Sequence, residues 1–151
     1  MGGSTGSDYE PPLGDWPEDD ALEPERGPSL ILDALTREPL EQAHILLIPA
    51  KAGHEVPALL RWGGWNRCPP AEHHVAALRQ WHEDYGAELV GLSGDVMELR
   101  VARRPQTRDE ALHLAREQYL YCSDILDVGR GDLATLAALL LESDWWYFWW
   151  D

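Results

Sequence analysis

Basic side chains and cysteines are scarce in this chain of 151 residues, and long apolar runs are missing altogether. Two cysteines, Cys68 and Cys122, are too few for a disulfide framework and form no Cys-x-x-Cys pair, which favours a reducing compartment. The longest aliphatic run, residues 136–141, is far shorter than the roughly 20 residues of a membrane-spanning helix. The first residues have neither the basic start nor the apolar segment of a secretory signal. We therefore expect a cytoplasmic protein with no membrane association.

The shortage of basic residues makes the chain strongly acidic. Twelve basic side chains stand against 27 acidic ones, which gives a formal net charge of −15. Residues 1–28 hold eight acids and one arginine and contribute −7, so residues 29–151 contribute the remaining −8. A field of this sign opposes nucleic-acid backbones and anionic membranes and favours basic proteins. We expect no nucleic-acid binding, and a basic protein as the partner.

Composition divides the chain into two parts. Residues 1–28 are rich in glycine, proline, serine and acids, and their few apolar side chains cannot offset the entropy of ordering the segment. Residues 29–151 have the composition and length of one ordinary globular domain. The prediction is a flexible acidic leader over 1–28 and a single domain over 29–151.

Apolar periodicity and capping residues predict the elements of that domain. The run 30–35 is too short to distinguish a helix from a strand, whereas 43–48, ended by Pro49, predicts a buried strand. The remaining predicted elements are a helix from Pro69-Pro70 to about Tyr85 and Gly86, a hairpin over 88–92 and 96–102 with a turn at 93–95, a helix opened by the capping box Thr107 to Glu110, a helix from the N-cap Asp132 to about Glu142, and an aromatic strand from Trp145. This order predicts an α+β fold: a small mixed or antiparallel sheet packed by about three helices, with the aromatic C-terminal strand in the sheet.

The chain has eight tryptophans, and four of them lie in residues 145–151. In a strand, alternate side chains point to opposite faces, so Trp146, Phe148 and Trp150 should share one face. We expect Trp149 and Trp150 to be largely buried and to hold Asp151 in place near the surface of the domain. Two interpretations of Asp151 stay open: it pairs with Arg100, Arg103 or Arg104, or it is only a solubilising end of the chain.

Several short motifs from Trp62 onward are shared with a known family. They are Trp62-Gly63-Gly64-Trp65-Asn66, Trp81 with Tyr85-Gly86-Ala87, Arg103-Arg104-Pro105-Gln106-Thr107, Glu117-Gln118-Tyr119 with Cys122-Ser123-Asp124, and the final Trp149-Trp150-Asp151. Over roughly residues 43–151 the sequence resembles the bacterial domain-of-unknown-function family 4253. The resemblance implies a bacterial intracellular domain and assigns no activity and no catalytic residue.

The histidines do not form a metal-binding pattern. His74 and His82 would lie about 12 Å apart along one helix, too far for one ion to bridge. Adjacent His73 and His74 would diverge by about 100° around that helix. We interpret these histidines as surface residues and expect no metal site, although Cys68 could approach His73.

Glycines 129 and 131 around Arg130 precede a helix but lack the pattern of a phosphate-binding loop, and Asp132 would repel a phosphate there. We therefore expect no nucleotide and no other cofactor.

Three residues near the end of the second long helix are the candidates for catalysis. They are Glu117, Cys122 and Asp124, and two of them carry carboxylates that could serve acid–base chemistry. Cys122 continues the apolar face of its helix, so a buried structural thiol is the simpler interpretation. A nucleophilic role would need a nearby base, for which His73, His74 and His82 are the options.

The candidates for binding are Trp62, Trp65 and Asn66, because a glycine-rich turn presents the two indoles beside a polar amide. Two functions follow. The first is a non-enzymatic interaction module, of the immunity or inhibitor kind, whose acidic surface binds a basic protein. The alternative is a small hydrolase-like enzyme with its site at Trp65, Asn66, Glu117, Cys122 and Asp124. Convergence of these polar groups in one pocket would favour the enzyme.

Overall fold

The computed structural model describes residues 10–127 and 130–151, in which four α-helices pack around a three-stranded antiparallel sheet. In chain order the elements are α1 (Val56–Leu60), α2 (Ala71–Tyr85), β1 (Glu88–Leu92), β2 (Val96–Arg100), α3 (Arg108–Tyr121), α4 (Leu133–Glu142) and β3 (Trp145–Trp149), with short 3-10 turns at Asp19–Ala21, Gly53–Glu55 and Ser123–Leu126. The α+β class is confirmed, and so is the position of the aromatic strand within the sheet.

Helices α2, α3 and α4 begin at the residues that the sequence predicts, whereas α1 was not predicted. The side chain of Thr107 accepts a hydrogen bond from the backbone N–H of Glu110 at the start of α3. Asp132 accepts one from the N–H of Thr135 at the start of α4. Gly86 ends α2 in the left-handed conformation, with φ of 63°. Each contact satisfies a backbone group that a helix end otherwise leaves free.

The register of the sheet fixes which ends of the strands meet. The order is β1-β2-β3, and in the second pair Val96 lies opposite Trp149 while Arg100 lies opposite Trp145. The turn between β1 and β2 therefore lies at the end of the sheet where β3 finishes. Arg100 lies at the opposite end.

The core is largely aromatic, and β3 buries one of its faces, so the expected burial of Trp150 is confirmed and that of Trp149 is wrong. Trp146, Phe148 and Trp150 are buried, whereas the side chains between them are half-exposed. Phe148 stacks on Trp81 of α2 with ring centroids 5.5 Å apart. Tyr121 of α3 contacts Trp81 edge to face at 5.0 Å. Aromatic pairs at these distances add to the large apolar area that each ring buries.

The predicted strand over 43–48 is wrong. Residues 41–50 have no regular secondary structure, and Ile45 and Leu47 are 92% and 90% exposed. A short apolar run becomes a strand only where a neighbouring edge accepts its backbone hydrogen bonds, and no strand among residues 10–127 and 130–151 pairs with it. The run 30–35 forms a turn, which a single bridge between Leu32 and Pro39 closes.

Part of the predicted leader, residues 1–9, and Gly129 of the glycine pair lie outside the described residues. Within residues 10–127 and 130–151, no helix combines the length and the apolarity needed to cross a lipid bilayer.

The described part of the N-terminal segment contacts the helices. The carbonyls of Pro12 and Leu13 accept hydrogen bonds from the first two N–H groups of α4, at 3.0 and 2.8 Å. The ring of Trp16 lies 4.4 Å from the guanidinium carbon of Arg108, at the start of α3. The segment thus satisfies donors at the N-terminus of α4.

The same segment continues across the outer face of the sheet. The hydroxyl of Ser143 donates to the carbonyl of Glu25 at 2.7 Å. Glu98 in β2 is only 3% exposed, and its carboxylate accepts hydrogen bonds from the N–H and hydroxyl of Ser29 and the N–H of Leu30. A buried carboxylate requires such donors. The division into a leader over 1–28 and a domain over 29–151 stays a prediction.

Candidate functional site

The glycine-rich turn that follows α1 places the candidate binding residues. Gly63 and Gly64 have φ values of 109° and 85°, and Asn66 also has positive φ, 42°. The N–H of Gly64 donates to the carbonyl of Pro69 at 2.9 Å, which closes the turn on itself. Glycine adopts these dihedrals without strain, so the Gly-Gly pair allows the chain to reverse direction between the two tryptophans.

At Gly63 the turn also lies against the core too closely for any side chain. A Cβ atom there would lie 2.4 Å from the carbonyl oxygen of Pro69 and 2.7 Å from Nε2 of His74. Only glycine permits this approach. The turn is therefore held against α2, and the positions of the indoles follow from it.

Trp62 anchors the turn to the rest of the molecule. Its Nε1–H donates to the carbonyl of Ser93 at 2.8 Å. Its ring meets Trp65, His74 and Trp150 edge to face, with centroids 4.9, 4.9 and 5.6 Å apart. Because Trp62 is fixed by one hydrogen bond and three aromatic contacts, Trp65 and Asn66 project from a rigid base.

Behind the turn runs a buried chain of hydrogen bonds. His74 is 0% exposed, and its Nε2 lies 3.3 Å from Sγ of Cys68. Its Nδ1 contacts the hydroxyl of Tyr121, which in turn donates to Sδ of Met97 at 3.6 Å. A neutral imidazole with its proton on Nδ1 accounts for all of these contacts, with Cys68 donating to Nε2.

The pKa shifts of these groups agree with that assignment. Burial lowers the pKa of His74 to about 4 and raises the pKa of Cys68 to about 11. Burial also raises the pKa of Tyr121 well above its ordinary value. All three groups are therefore uncharged near neutral pH, so Cys68 is a thiol and not a nucleophilic thiolate.

The interpretation of His74 as a surface residue is wrong. The predicted contact between Cys68 and His73 is wrong as well. The thiol contacts His74 instead, and His73 is exposed. The buried face of α2 is made by His74, Leu78, Trp81 and Tyr85. Val75, the next residue along the helix, is half-exposed, so His74 and not Val75 completes the buried face at that end.

Asp124 joins the glycine-rich turn to the end of β3. Its Oδ1 accepts a hydrogen bond from Arg67 at 3.3 Å, and its Oδ2 accepts one from the N–H of Asp151 at 3.1 Å. The amide of Asn66 donates to the carbonyl of Asp151 at 3.0 Å. Asp124 is buried, so these donors supply the partners that its carboxylate requires.

The predicted ion pair between Asp151 and Arg100, Arg103 or Arg104 is wrong, because all three arginines have other partners. Arg104 binds Asp144 at 2.7 Å, and Arg103 donates to the carbonyl of Glu83. Arg100 lies over the ring of Trp145, at the opposite end of the sheet from Asp151. The antiparallel register of β2 and β3 is the reason.

The other two catalytic candidates are engaged elsewhere. The thiol of Cys122 donates to the carbonyl of Trp149 at 3.0 Å, and burial raises its pKa to about 12. Glu117 lies 3.3 Å from His113 and 3.5 Å from Nε1 of Trp81. Of the five residues of the enzyme alternative, hydrogen bonds link only Asn66 and Asp124, and they do so through the backbone of Asp151.

Three segments converge at one end of the sheet: the glycine-rich turn, the turn between β1 and β2, and the end of β3. Trp150 N–H donates to the carbonyl of Asp95 at 3.1 Å, and Trp149 Nε1–H donates to the carboxylate of Asp95 at 3.2 Å. We call the resulting partly exposed surface the tryptophan face; its residues are Trp62, Trp65, Asn66, Asp95, Trp149 and Asp151.

The sequence indicated only half of this surface. The Gly-Gly turn indicated Trp62, Trp65 and Asn66, because loops lie at the surface and often carry binding residues. Asp95 and Trp149 join the surface through the strand register, which no local pattern encodes.

Among the described residues, no group of three or more histidines, cysteines or carboxylates could hold a metal ion.

Comparison with known proteins finds one family. A family model whose description reads domain of unknown function (DUF4253) matches residues 44–151, which include every residue of the tryptophan face. No curated protein and no solved structure matches the chain.

Proposed function

Because this chain belongs to the DUF4253 family, whose description assigns no activity, we propose a function from its own surface. It is a cytoplasmic protein-interaction module, of the immunity or inhibitor kind, that binds a basic protein through the tryptophan face. The observation that carries this proposal is the convergence of three half-exposed indoles with the exposed carboxylates of Asp95 and Asp151.

The composition of the face suits a protein partner. Aromatic side chains at the centre with polar groups at the rim are the usual arrangement of residues that dominate binding energy. Trp62, Trp65 and Trp149 supply the aromatic part, and Asn66 lies at the edge. The indoles are held before binding, since Trp62 and Trp149 each donate a hydrogen bond to the 93–95 turn. Preorganisation of this kind reduces the entropy lost on association.

Charge supports a basic partner. An arginine or lysine side chain can lie over an indole and bind a neighbouring carboxylate at the same time. The carboxylate of Asp95 is fixed in position for such a contact, because it accepts hydrogen bonds from Ser93 and Trp149. The net charge of −15 would speed the encounter with a basic protein and oppose nucleic acid.

Binding of a labelled arginine-rich peptide, measured by fluorescence anisotropy, tests the proposal. We expect Trp65→Ala and Asp95→Asn each to weaken binding about tenfold, the scale of a lost cation–π or charge-assisted contact. Binding should also weaken as salt rises. A glutamate-rich peptide should not bind.

Two variants of matched chemistry are the controls. Trp145 is half-exposed at the opposite end of β3, and Glu83 is exposed on α2. Trp145→Ala and Glu83→Gln should leave the affinity unchanged. If they weaken binding as much as Trp65→Ala and Asp95→Asn do, attraction is diffuse and the tryptophan face is not the binding surface.

The alternative of a hydrolase-like enzyme has weaker support. The Cys122 thiol is buried with its pKa raised to about 12, and Glu117 is bound to His113 and Trp81. Asp124 already accepts hydrogen bonds from Arg67 and Asp151. Roles for Glu117, Cys122 and Asp124 in catalysis stay predictions, and the interaction module remains the conclusion.

A further inference from the structure

A cavity of about 320 Å³ lies between α4, β3 and the N-terminal segment. Residues 21–23 and 25 cover it, α4 forms one wall with Leu136, Leu139 and Leu140, and β3 forms another with residues 145–147. Its volume is within the range of small-molecule sites. No residue of the tryptophan face lines it.

Two buried donors in the lining have no partner. Gln118 of α3 and Trp146 of β3 are 1% and 2% exposed. Among the described residues, nothing accepts a hydrogen bond from Nε2 of Gln118 or Nε1 of Trp146. A buried donor without an acceptor costs about 1–3 kcal/mol, so two such donors on residues that line one cavity are unusual in a folded protein.

The cavity also contains a cation that is not used elsewhere. Arg130 lines it half-buried, with its guanidinium carbon 5.9 Å from the ring centroid of Tyr147. In the part of the chain that the structure describes, Arg130 forms no ion pair. Among the acids, Glu25 raises the pKa of Arg130 the most, but its carboxylate forms an ion pair with Arg37, at 3.4 Å, and not with Arg130. Burial lowers the pKa of Arg130, as expected for a cation without a matched anion.

The remaining lining determines the shape of a suitable ligand. Ile125 and three leucines of α4 supply apolar contact, whereas the polar groups are a guanidinium, an amide, an indole N–H and the hydroxyls of Thr135 and Ser143. Glu23 and Glu25 are carboxylates of the same lining, so an anionic group of a ligand must lie at Arg130, and a second negative charge would be repelled.

We propose that this cavity is a binding site for a small organic monocarboxylate with an apolar body. The carboxylate binds Arg130, a second acceptor on the ligand meets Gln118 or Trp146, and the body packs against the leucines of α4. Charge-assisted binding to arginine is the strongest contact that such a ligand can make there. The site is independent of the tryptophan face and requires no protein partner.

Titration of the full chain with phenylacetate and hexanoate, followed by NMR of the indole and arginine side chains, tests the site. Phenylacetamide and hexanamide are the uncharged controls. We expect the carboxylates to bind at least about tenfold more tightly than the amides, with shifts at Trp146, Gln118 and Arg130.

Arg130→Gln should remove that preference, and Arg79→Gln, on the exposed side of α2, should retain it. Equal affinity for carboxylates and amides would overturn the proposal, as would shifts confined to residues outside the cavity. An equal loss in Arg79→Gln would mean a general response to charge and would also overturn it.

Discussion

At the scale of single residues, His74 links the glycine-rich turn to the buried core. It contacts the thiol of Cys68, the hydroxyl of Tyr121 and the rings of Trp62 and Trp150. The sequence did not show which of His73 and His74 is buried, because this depends on which face of the helix packs against the core. Burial of Cys122, in contrast, was predicted correctly from the apolar face of its helix.

The pKa of His74 leads to a prediction for stability against pH. The unfolded chain protonates this imidazole near its ordinary pKa of about 6.5, whereas the folded chain does so only near 4. Between these values the unfolded state binds more protons, so the free energy of unfolding falls as the pH is lowered. The contribution is fully present above pH 6.5, and up to about 3 kcal/mol is lost by pH 4.

Urea unfolding as a function of pH measures this effect. His74→Gln should remove the part of the fall in the free energy of unfolding, between pH 6.5 and 4, that protonation of His74 causes. His73→Gln changes an exposed neighbour on the same helix and should retain it. NMR titration of the imidazole provides a second measurement on the unmodified chain. A His74 resonance that titrates near pH 6.5 would contradict the buried, neutral assignment.

At the scale of elements, the sequence was most informative where a capping residue or a strict alternation was present. Thr107, Asp132 and Gly86 mark helix ends because each satisfies backbone groups locally, and the alternation over β3 showed which of its residues share a face. The run 43–48 has the apolar character of a strand, but pairing depends on a neighbour that the local sequence does not specify. For the same reason the strand register, and with it the place of Asp95 in the site, could not be predicted.

The glycine-rich turn gives a prediction at this scale. Gly63→Ala introduces a Cβ atom 2.4 Å from the carbonyl oxygen of Pro69, at a φ of 109° that side chains rarely adopt. We expect a loss of about 2–4 kcal/mol in the free energy of unfolding, from backbone strain and overpacking. The indole resonances of Trp62 and Trp65 should shift as the turn moves.

Gly94→Ala is the control for this substitution, since a Cβ atom at Gly94 meets nothing within 4 Å. Its stability should stay within about 0.5 kcal/mol of that of the original chain. Equal stability of the two variants would show that the turn does not lie against Pro69 and His74 as described.

At the scale of the whole molecule, the N-terminal segment and the family-matched region meet across the outer face of the sheet. The family model starts at residue 44, but Ser29 and Leu30 supply the donors to the buried Glu98, and Glu25 accepts from Ser143. Composition alone indicated an acidic and flexible leader for 1–28, because its apolar residues are few. Contacts to a distant strand are not visible in composition.

Glu98→Ala should therefore destabilise the molecule by about 1–3 kcal/mol, because three donors of Ser29 and Leu30 lose their acceptor. Urea unfolding measures the loss, and limited proteolysis should show faster cleavage near residue 29. Glu98→Gln retains one carbonyl oxygen and should lose less. An unchanged urea midpoint in Glu98→Ala would mean that the segment does not bind the sheet through this carboxylate.

The location of a bound basic peptide tests the central proposal most directly. Chemical-shift mapping of the eight indole N–H groups with the arginine-rich peptide would provide it. We predict that the signals of Trp62, Trp65 and Trp149 shift together and saturate at one concentration, while that of Trp145 does not move. Shifts centred on Trp145 or Trp16, or no shift at the tryptophan face at saturating peptide, would contradict the proposed function.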